Sequence, residues 1–134
     1  MKDNNFNTEL DLLTDVAFDV NESANSISVL LKHDYYSTDN DNGRALLDSL
    51  LDGLILAADR INMIIITDSA VRLLESSSKL INLIKLVHLT LVCRDSADFY
   101  EVQIPEDEEL HLNIVSINDI TDQIIESRPD LIIE

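Results

Sequence analysis

The sequence predicts an α/β domain, a three-layer α/β/α arrangement around a five-stranded, mostly parallel sheet. Three observations carry that expectation. Short apolar runs alternate with amphipathic segments in the order β-α-β-α-β-(α)-β-α-β, which implies right-handed crossovers with helices on both faces. The run Ile61 to Thr67 is almost continuously apolar, as in strands covered on both sides. The 134 residues include only 2 Gly and 2 Pro, which disfavours a loop-rich all-β chain.

Residues 26–134 make up the predicted domain. Residues 1–25 read as an N-terminal arm or extra helix, with Leu10, Leu12, Leu13, Val16, Ala17 and Val20 in a weak helical pattern. Ile27 to Lys32 is β-rich and short, a first strand. His33 to Asn42 is a polar loop whose Ser, Thr, Asp and Asn side chains can bond free N–H groups at turns and helix starts. Gly43 to Ala58 reads as a helix. Leu47, Leu50, Leu51, Leu54 and Ala58 share one face, and Arg44, Asp48, Asp52 and Asp59 the other. Leu46, Ile55 and Leu56 widen the apolar stripe, which predicts contact on two sides, between layers or at a subunit interface.

Ile61 to Thr67 is the second strand. Ser76 to Ser78 can cap a second helix that buries Leu80, Ile81, Leu83, Ile84 and Val87. His88 to Cys93 is the third strand, followed by a helical turn over Ser96 to Glu101. The acidic loop Pro105 to Glu109 leads to a fourth strand, Leu110 to Val115. Ser116 or Asn118 caps a helix through Ser127 with Ile120, Ile124 and Ile125 turned inward. Pro129 stops it, and Asp130 to Ile133 is the last strand. Ligands of such sheets gather at the carboxyl ends of the strands. That rim is expected from His33 to Asn42, Thr67 to Arg72, Cys93 to Tyr100 and Ser116 to Asp119.

Composition narrows the function. With 9 Lys and Arg against 26 Asp and Glu, the formal charge is −17. A chain this acidic repels phosphate backbones and anionic membrane surfaces, so neither nucleic acid nor membrane is expected as a partner. No apolar run reaches the length of a membrane span, and Met1 to Asn5 leads into no apolar signal region. The expectation is a cytoplasmic protein. Cys93 is the single cysteine, which rules out an internal disulfide and a Cys-x-x-Cys pair.

Several catalytic patterns are absent. Gly43 and Gly53, the two glycines, cannot write a dinucleotide fingerprint or a P-loop. No Gly-x-Ser-x-Gly elbow occurs. His33, His88 and His111 lack the spacing of a zinc helix, so no metal site is expected. Asp39, Asp41, Asp95 and Asp98 fall at the rim, where a hard cation is the chemical option and solvated acids or helix caps the plainer one. Cys93 ends a strand and precedes a helical turn. There, backbone N–H groups can stabilise a thiolate, Arg94 helps, and Asp95 and Asp98 oppose. The plainer reading is a buried cysteine acting as a small hydrophobe.

Four segments, in order, resemble the DsrE-like family, and within it the C-terminal domain of YedF-type proteins linked to selenium metabolism. Asp41-Asn42-Gly43-Arg44-Ala45-Leu46-Leu47 is similar to that group's acidic loop and Gly-Arg helix start. Thr67-Asp68-Ser69-Ala70-Val71-Arg72-Leu73 resembles its Asn-x-Gly-Val-Lys-Leu segment. Val92-Cys93-Arg94-Asp95-Ser96-Ala97-Asp98-Phe99-Tyr100 resembles its Cys-Gly-x-Cys-Leu-Asp-Phe-Tyr segment. Ser116-Ile117-Asn118-Asp119-Ile120 is loosely similar to its Thr-Asn-Met-Tyr-x-Ile stretch. The resemblance runs from about Ile27 to the C-terminus. It departs at Ser96, in place of the second cysteine, and at Arg94 and Ala70, in place of glycines. Met1 to Asn25 holds no Cys-Pro signature of the sulfur-carrier domain that full-length YedF-type proteins carry.

The resemblance implies a DsrE-like sheet, a homo-oligomer (dimer or trimer), and sulfur relay through a persulfide on Cys93. Arg94 and the following helix start would support the thiolate. Asp98, Phe99 and Tyr100 would fix the loop, Asn42 and Gly43 would shape the opposite rim, and His33, Asp68 and Ser96 would line it. The partner would be a sulfur donor or acceptor protein, with no cofactor required. The alternative is a non-catalytic binding or assembly subunit that kept the fold and lost the chemistry. A small-ligand or cation sensor using the acidic loops is the third reading.

Overall fold

The computed structural model describes residues 27–134. The arm expected over residues 1–25 lies outside them. Five strands are present: β1 (Ile27–Leu31), β2 (Ile61–Ile66), β3 (Leu89–Cys93), β4 (Leu112–Val115) and β5 (Leu131–Ile133). The helices are α1 (Asp41–Leu56), α2 (Leu73–Ser76), α3 (Ser78–Leu86), α4 (Arg94–Phe99) and α5 (Ile117–Ser127). Every strand pair is parallel and the sheet order is β4-β3-β2-β1-β5. The expected fold class therefore holds.

Handedness explains the layers. The chain steps from β1 to β4 in one direction, so right-handed crossovers put α1 and α3 on one face. The return from β4 to β5 runs the other way and puts α5 on the opposite face. Strand alternation sorts the core accordingly. Val29, Leu31, Ile64, Ile66 and Val92 pack with Leu47, Leu51, Leu80, Leu83 and Ile84 of α1 and α3. Leu30, Met63, Ile65, Leu91 and Cys93 form the other cluster with Ile120, and Ile124 packs against it.

Helix starts follow local chemistry. The Asn40 side chain accepts from the Gly43 N–H at 2.9 Å, so α1 begins two residues before the expected Gly43. Ser77 accepts from Leu80 N–H at 3.1 Å and Ser116 from Asp119 N–H at 3.2 Å, which settles the cap of α5 in favour of Ser116 over Asn118. Arg128 takes a left-handed conformation (φ 47°) and Pro129 follows, ending α5. Lys79 on α3 donates to Asp48 at 2.6 Å and Asp52 at 2.9 Å on α1, tying the two helices at their wet seam. At the other edge, Ser28 N–H donates to the Asp130 carboxylate and its carbonyl accepts from Asp130 N–H, both at 2.9 Å, which registers β5 beside β1.

Two expectations need correction. Ile125 is 66 % exposed, not inward: α5 rests on the sheet through Ile120 and Ile124, and the neighbouring position rotates away from it. Leu56, placed in the widened stripe of α1, is 88 % exposed at the last residue of that helix. The segment after β2 is also more structured than expected, a 3₁₀ turn over Asp68–Arg72 running into α2.

The two glycines have opposite roles. A Cβ on Gly43 would lie 1.7 Å from the Thr38 carbonyl oxygen, where the loop folds back so that Tyr36 N–H donates to Gly43 O at 2.9 Å. A Cβ on Gly53 meets nothing within 4 Å. Gly53→Ala should therefore raise stability by about 1 kcal/mol through helix propensity. Gly43→Ala should lower it by about 1–3 kcal/mol as the loop is forced off α1. Thermal melts followed by circular dichroism check both signs.

Candidate functional site

The carboxyl ends of β1 and β2 open into a polar cavity of about 430 Å³. Its floor comes from the turn after β1 (His33, Asp34, Tyr35) and the 3₁₀ turn after β2 (Asp68, Ser69, Arg72). Asp39 and Arg44 contribute from the start of α1, and Tyr100 closes the side next to β3. The His33 ring stacks on Tyr35 with centroids 4.8 Å apart. Its Nδ1 lies 3.4 Å from Ser69 Oγ and 3.4 Å from Asp68 Oδ2. Both partners meet the same ring nitrogen, so these residues are not a nucleophile–base–orienter triad, which needs the two nitrogens to serve different neighbours. Ser69 Oγ also accepts from Asp34 N–H at 3.1 Å and is largely buried.

Asp68 holds the rim together. Its backbone is left-handed (φ 52°), a conformation that Asp tolerates better than most residues. From there its N–H donates to Ser96 Oγ at 2.8 Å on α4, and its carboxylate accepts from Tyr100 OH at 3.1 Å while facing His33. Partial desolvation and then the Asp68 carboxylate push the Tyr100 phenol above its ordinary value, keeping it a donor at neutral pH. Arg72 lies over the Tyr100 ring, 5.6 Å from its centroid.

Cys93 lies behind this wall. It ends β3 as expected but is 1 % exposed, on the α5 face of the sheet with Leu30, Met63, Ile65, Leu91 and Ile120. A shallow groove of about 270 Å³ reaches it between Asp68, Asp95, Ser96, Phe99, Tyr100 and Ile117. Arg94 does not attend the thiol: its guanidinium donates to the Ile114 carbonyl at 2.9 Å. The helix that follows Cys93 is six residues long, and the cysteine side chain makes no capping bond to it.

The expected residues therefore divide. His33, Asp68 and Tyr100 meet at the polar cavity, and Cys93, Ser96 and Phe99 at the groove. Asp68 and Tyr100 belong to both. Gly43 is buried against the loop, whereas Asn42 and Asp98 are exposed and line neither space. Phe99 is 77 % exposed, so it does not fix the loop; Tyr100 does. Sequence reasoning missed Asp34, Ser69 and Arg72 as cavity residues, although all three fall inside the expected rim segments. The rim acids do not gather: Asp39 and Asp41 pair with Arg44, and Asp95 accepts from Ile117 N–H at 2.9 Å. Among the described residues no group of three or more His, Cys, Asp or Glu is placed to hold a metal ion.

The raised Tyr100 phenol has a measurable consequence. Its folded value lies above 10.0, so the stability linked to the neutral phenol is complete below pH 10 and is lost as pH rises through the folded value. In ultraviolet titrations, the difference between wild type and Tyr100→Phe should show a phenolate transition centred above 10, and Asp68→Asn should move it down toward 10. A transition at or below 10 in the wild type would contradict the Tyr100–Asp68 bond.

Neither a family model nor a curated protein sequence matches the chain. A solved structure does: that of a conserved protein of unknown function from Bacteroides thetaiotaomicron. It superposes with a TM-score of 0.54 at 14 % identity, covering 82 % of this chain and 96 % of that one. At that identity the likeness concerns the three-layer fold.

Proposed function

We propose that the protein is a DsrE-like binding and assembly subunit that kept the fold of a sulfur-relay family without using the thiol. The observation that carries this reading is the burial of Cys93, 1 % exposed among aliphatic neighbours. Sulfur transfer requires the thiol sulfur to approach the sulfur of a donor in line, which its walls obstruct. Arg94, expected to support the thiolate, is spent on the Ile114 carbonyl, and Ser96, in place of the second cysteine, accepts from the Asp68 N–H. The four segments similar to YedF-type proteins all fall at the carboxyl ends of the strands or at the start of α1, which is where a family site belongs. Among the described residues no helix is long and apolar enough to cross a membrane. Assembly would use the outer surface of α1, where Leu46 is 41 % and Leu56 is 88 % exposed.

The sulfur (or selenium) carrier is the second reading, favoured by the groove that reaches Cys93 past Phe99. In that case the Cys93 thiolate attacks the terminal sulfur of a persulfide donor, and the donor leaves as its thiolate.

One experiment separates the two. The folded protein is incubated with polysulfide and its intact mass recorded, for wild type and Cys93→Ala. No reducible adduct is expected on folded wild type, while a thiol reagent labels Cys93 once the chain is unfolded. A reducible sulfur adduct on folded wild type that Cys93→Ala lacks would replace this reading with the carrier. Light scattering after size exclusion should give a dimer or trimer that Leu46→Glu dissociates; a monomeric wild type would remove the assembly part.

A further inference from the structure

The polar cavity contains charged groups in excess of those it satisfies internally. Asp39 is taken by Arg44 at 2.9 Å, and Asp68 by Tyr100 at 3.1 Å. Asp34 and Arg72 remain. The Asp34 side chain is only 15 % exposed, yet its carboxylate accepts no hydrogen bond among the described residues. Its nearest cation is Arg72 Nε at 3.7 Å, too long for a hydrogen bond. The Arg72 side chain likewise donates no hydrogen bond among the described residues, and the Tyr100 ring beneath it steadies the planar group. The Asp34 oxygens are not sealed from solvent, so they face the cavity and are open to a donor that enters it. A guanidinium offers a fork that matches a carboxylate.

From this pair we infer that the cavity binds a small zwitterion of the α-amino acid class, its ammonium on Asp34 and its carboxylate on the Arg72 fork. An amino acid carries both groups on one carbon, so they present side by side, as Asp34 and Arg72 do. A simple anion fits worse, because the three carboxylates of the cavity outnumber its two guanidinium groups on a chain of charge −17. A simple cation would leave the Arg72 fork unmet. The zwitterion answers both groups and adds no net charge. The cavity, about 430 Å³, has room for a side chain beyond the two charged groups, toward His33 and Ser69. The inference rests on the binding reading above and names the ligand class of that site.

The test is calorimetric titration of the full chain with each of the common L-α-amino acids, and with acetate and methylammonium as half-ligands. At least one amino acid should bind saturably, with each half-ligand weaker by about tenfold or more. Asp34→Asn and Arg72→Gln should each weaken it by about tenfold or more, and Arg72→Lys by less than Arg72→Gln because it keeps the charge but loses the fork. Lys79→Gln, outside the cavity, should leave binding unchanged. Circular dichroism melts establish that each variant is folded before its binding is compared. Absence of saturable binding by every amino acid would overturn the inference. So would acetate or methylammonium binding as tightly as the best amino acid, which would make the cavity an anion or a cation site. The polysulfide experiment is independent: an adduct on Cys93 removes the binding-subunit reading whatever the titration gives. An inert thiol with no amino acid bound removes only the ligand class.

Discussion

The structure depends on the need to cover both faces of an all-parallel sheet. β2 is the strand that shows it: Met63 through Ile66 are all buried, so neither face of the sheet centre touches water. Right-handed crossovers then leave little freedom. Three steps in one direction place α1 and α3 together, and a single return connection must cover the rest. That connection is α5, 11 residues and so about 16 Å long. Five strands span about 19 Å. One helix laid across the second face is just adequate, and it leaves Ile117 at its start and Ile132 on the edge strand β5 about half exposed.

The burial of the thiol follows from the same constraint. In β3, Leu89, Leu91 and Cys93 point to the α5 face by strand alternation. Cys93 pairs in register with Val115, the last residue of β4, after which Ser116 turns the chain into α5. The first turn of that helix brings Ile120 into the same buried cluster as the thiol. A cysteine at the end of a strand is therefore not automatically at an open mouth. Here the covering helix begins at the same rim and closes over it.

This separates what the sequence made legible from what it did not. The strands were readable because continuous apolar runs such as Ile61 to Ile66 have few alternatives to a doubly covered strand. The helix starts were readable only to within a few residues, Ser76 to Ser78 and Ser116 or Asn118, because several neighbouring side chains can accept from a free N–H and the backbone selects Ser77 and Ser116. The rim segments were readable too, since alternating β and α elements fix which strand ends carry loops. The convergence of Asp34, Ser69 and Arg72 was not, because it arises from the 3₁₀ turn at Asp68 and its left-handed backbone, and Asp is only one of several residues that adopt that conformation. Ile125 escaped for a simpler reason: three isoleucines suggest a wide stripe, but a lone helix on a broad sheet contacts it along a narrow one.

Asp68 and Tyr100 line both the polar cavity and the groove at Cys93, so they divide the rim into a wet compartment and a drier one. On the dry side the sulfur has aliphatic neighbours, and Ser96 holds the loop against α4 through the Asp68 N–H. Widening the groove at Cys93 on its Asp68 side would disturb the residue that also accepts from the Tyr100 phenol. On the wet side the side chains are already fixed: His33 by Tyr35, Arg72 by the Tyr100 ring, Arg44 by Asp39. A ligand entering there finds its partners in place and loses little to ordering them. In a chain with 26 acids and 9 bases, the Arg72 guanidinium stands 3.7 Å from the Asp34 carboxylate and leaves its fork to the cavity. A sulfur carrier would have to work through the shallow groove past Phe99 to a sulfur that is 1 % exposed, whereas a ligand of the wet compartment would meet its lining as it stands.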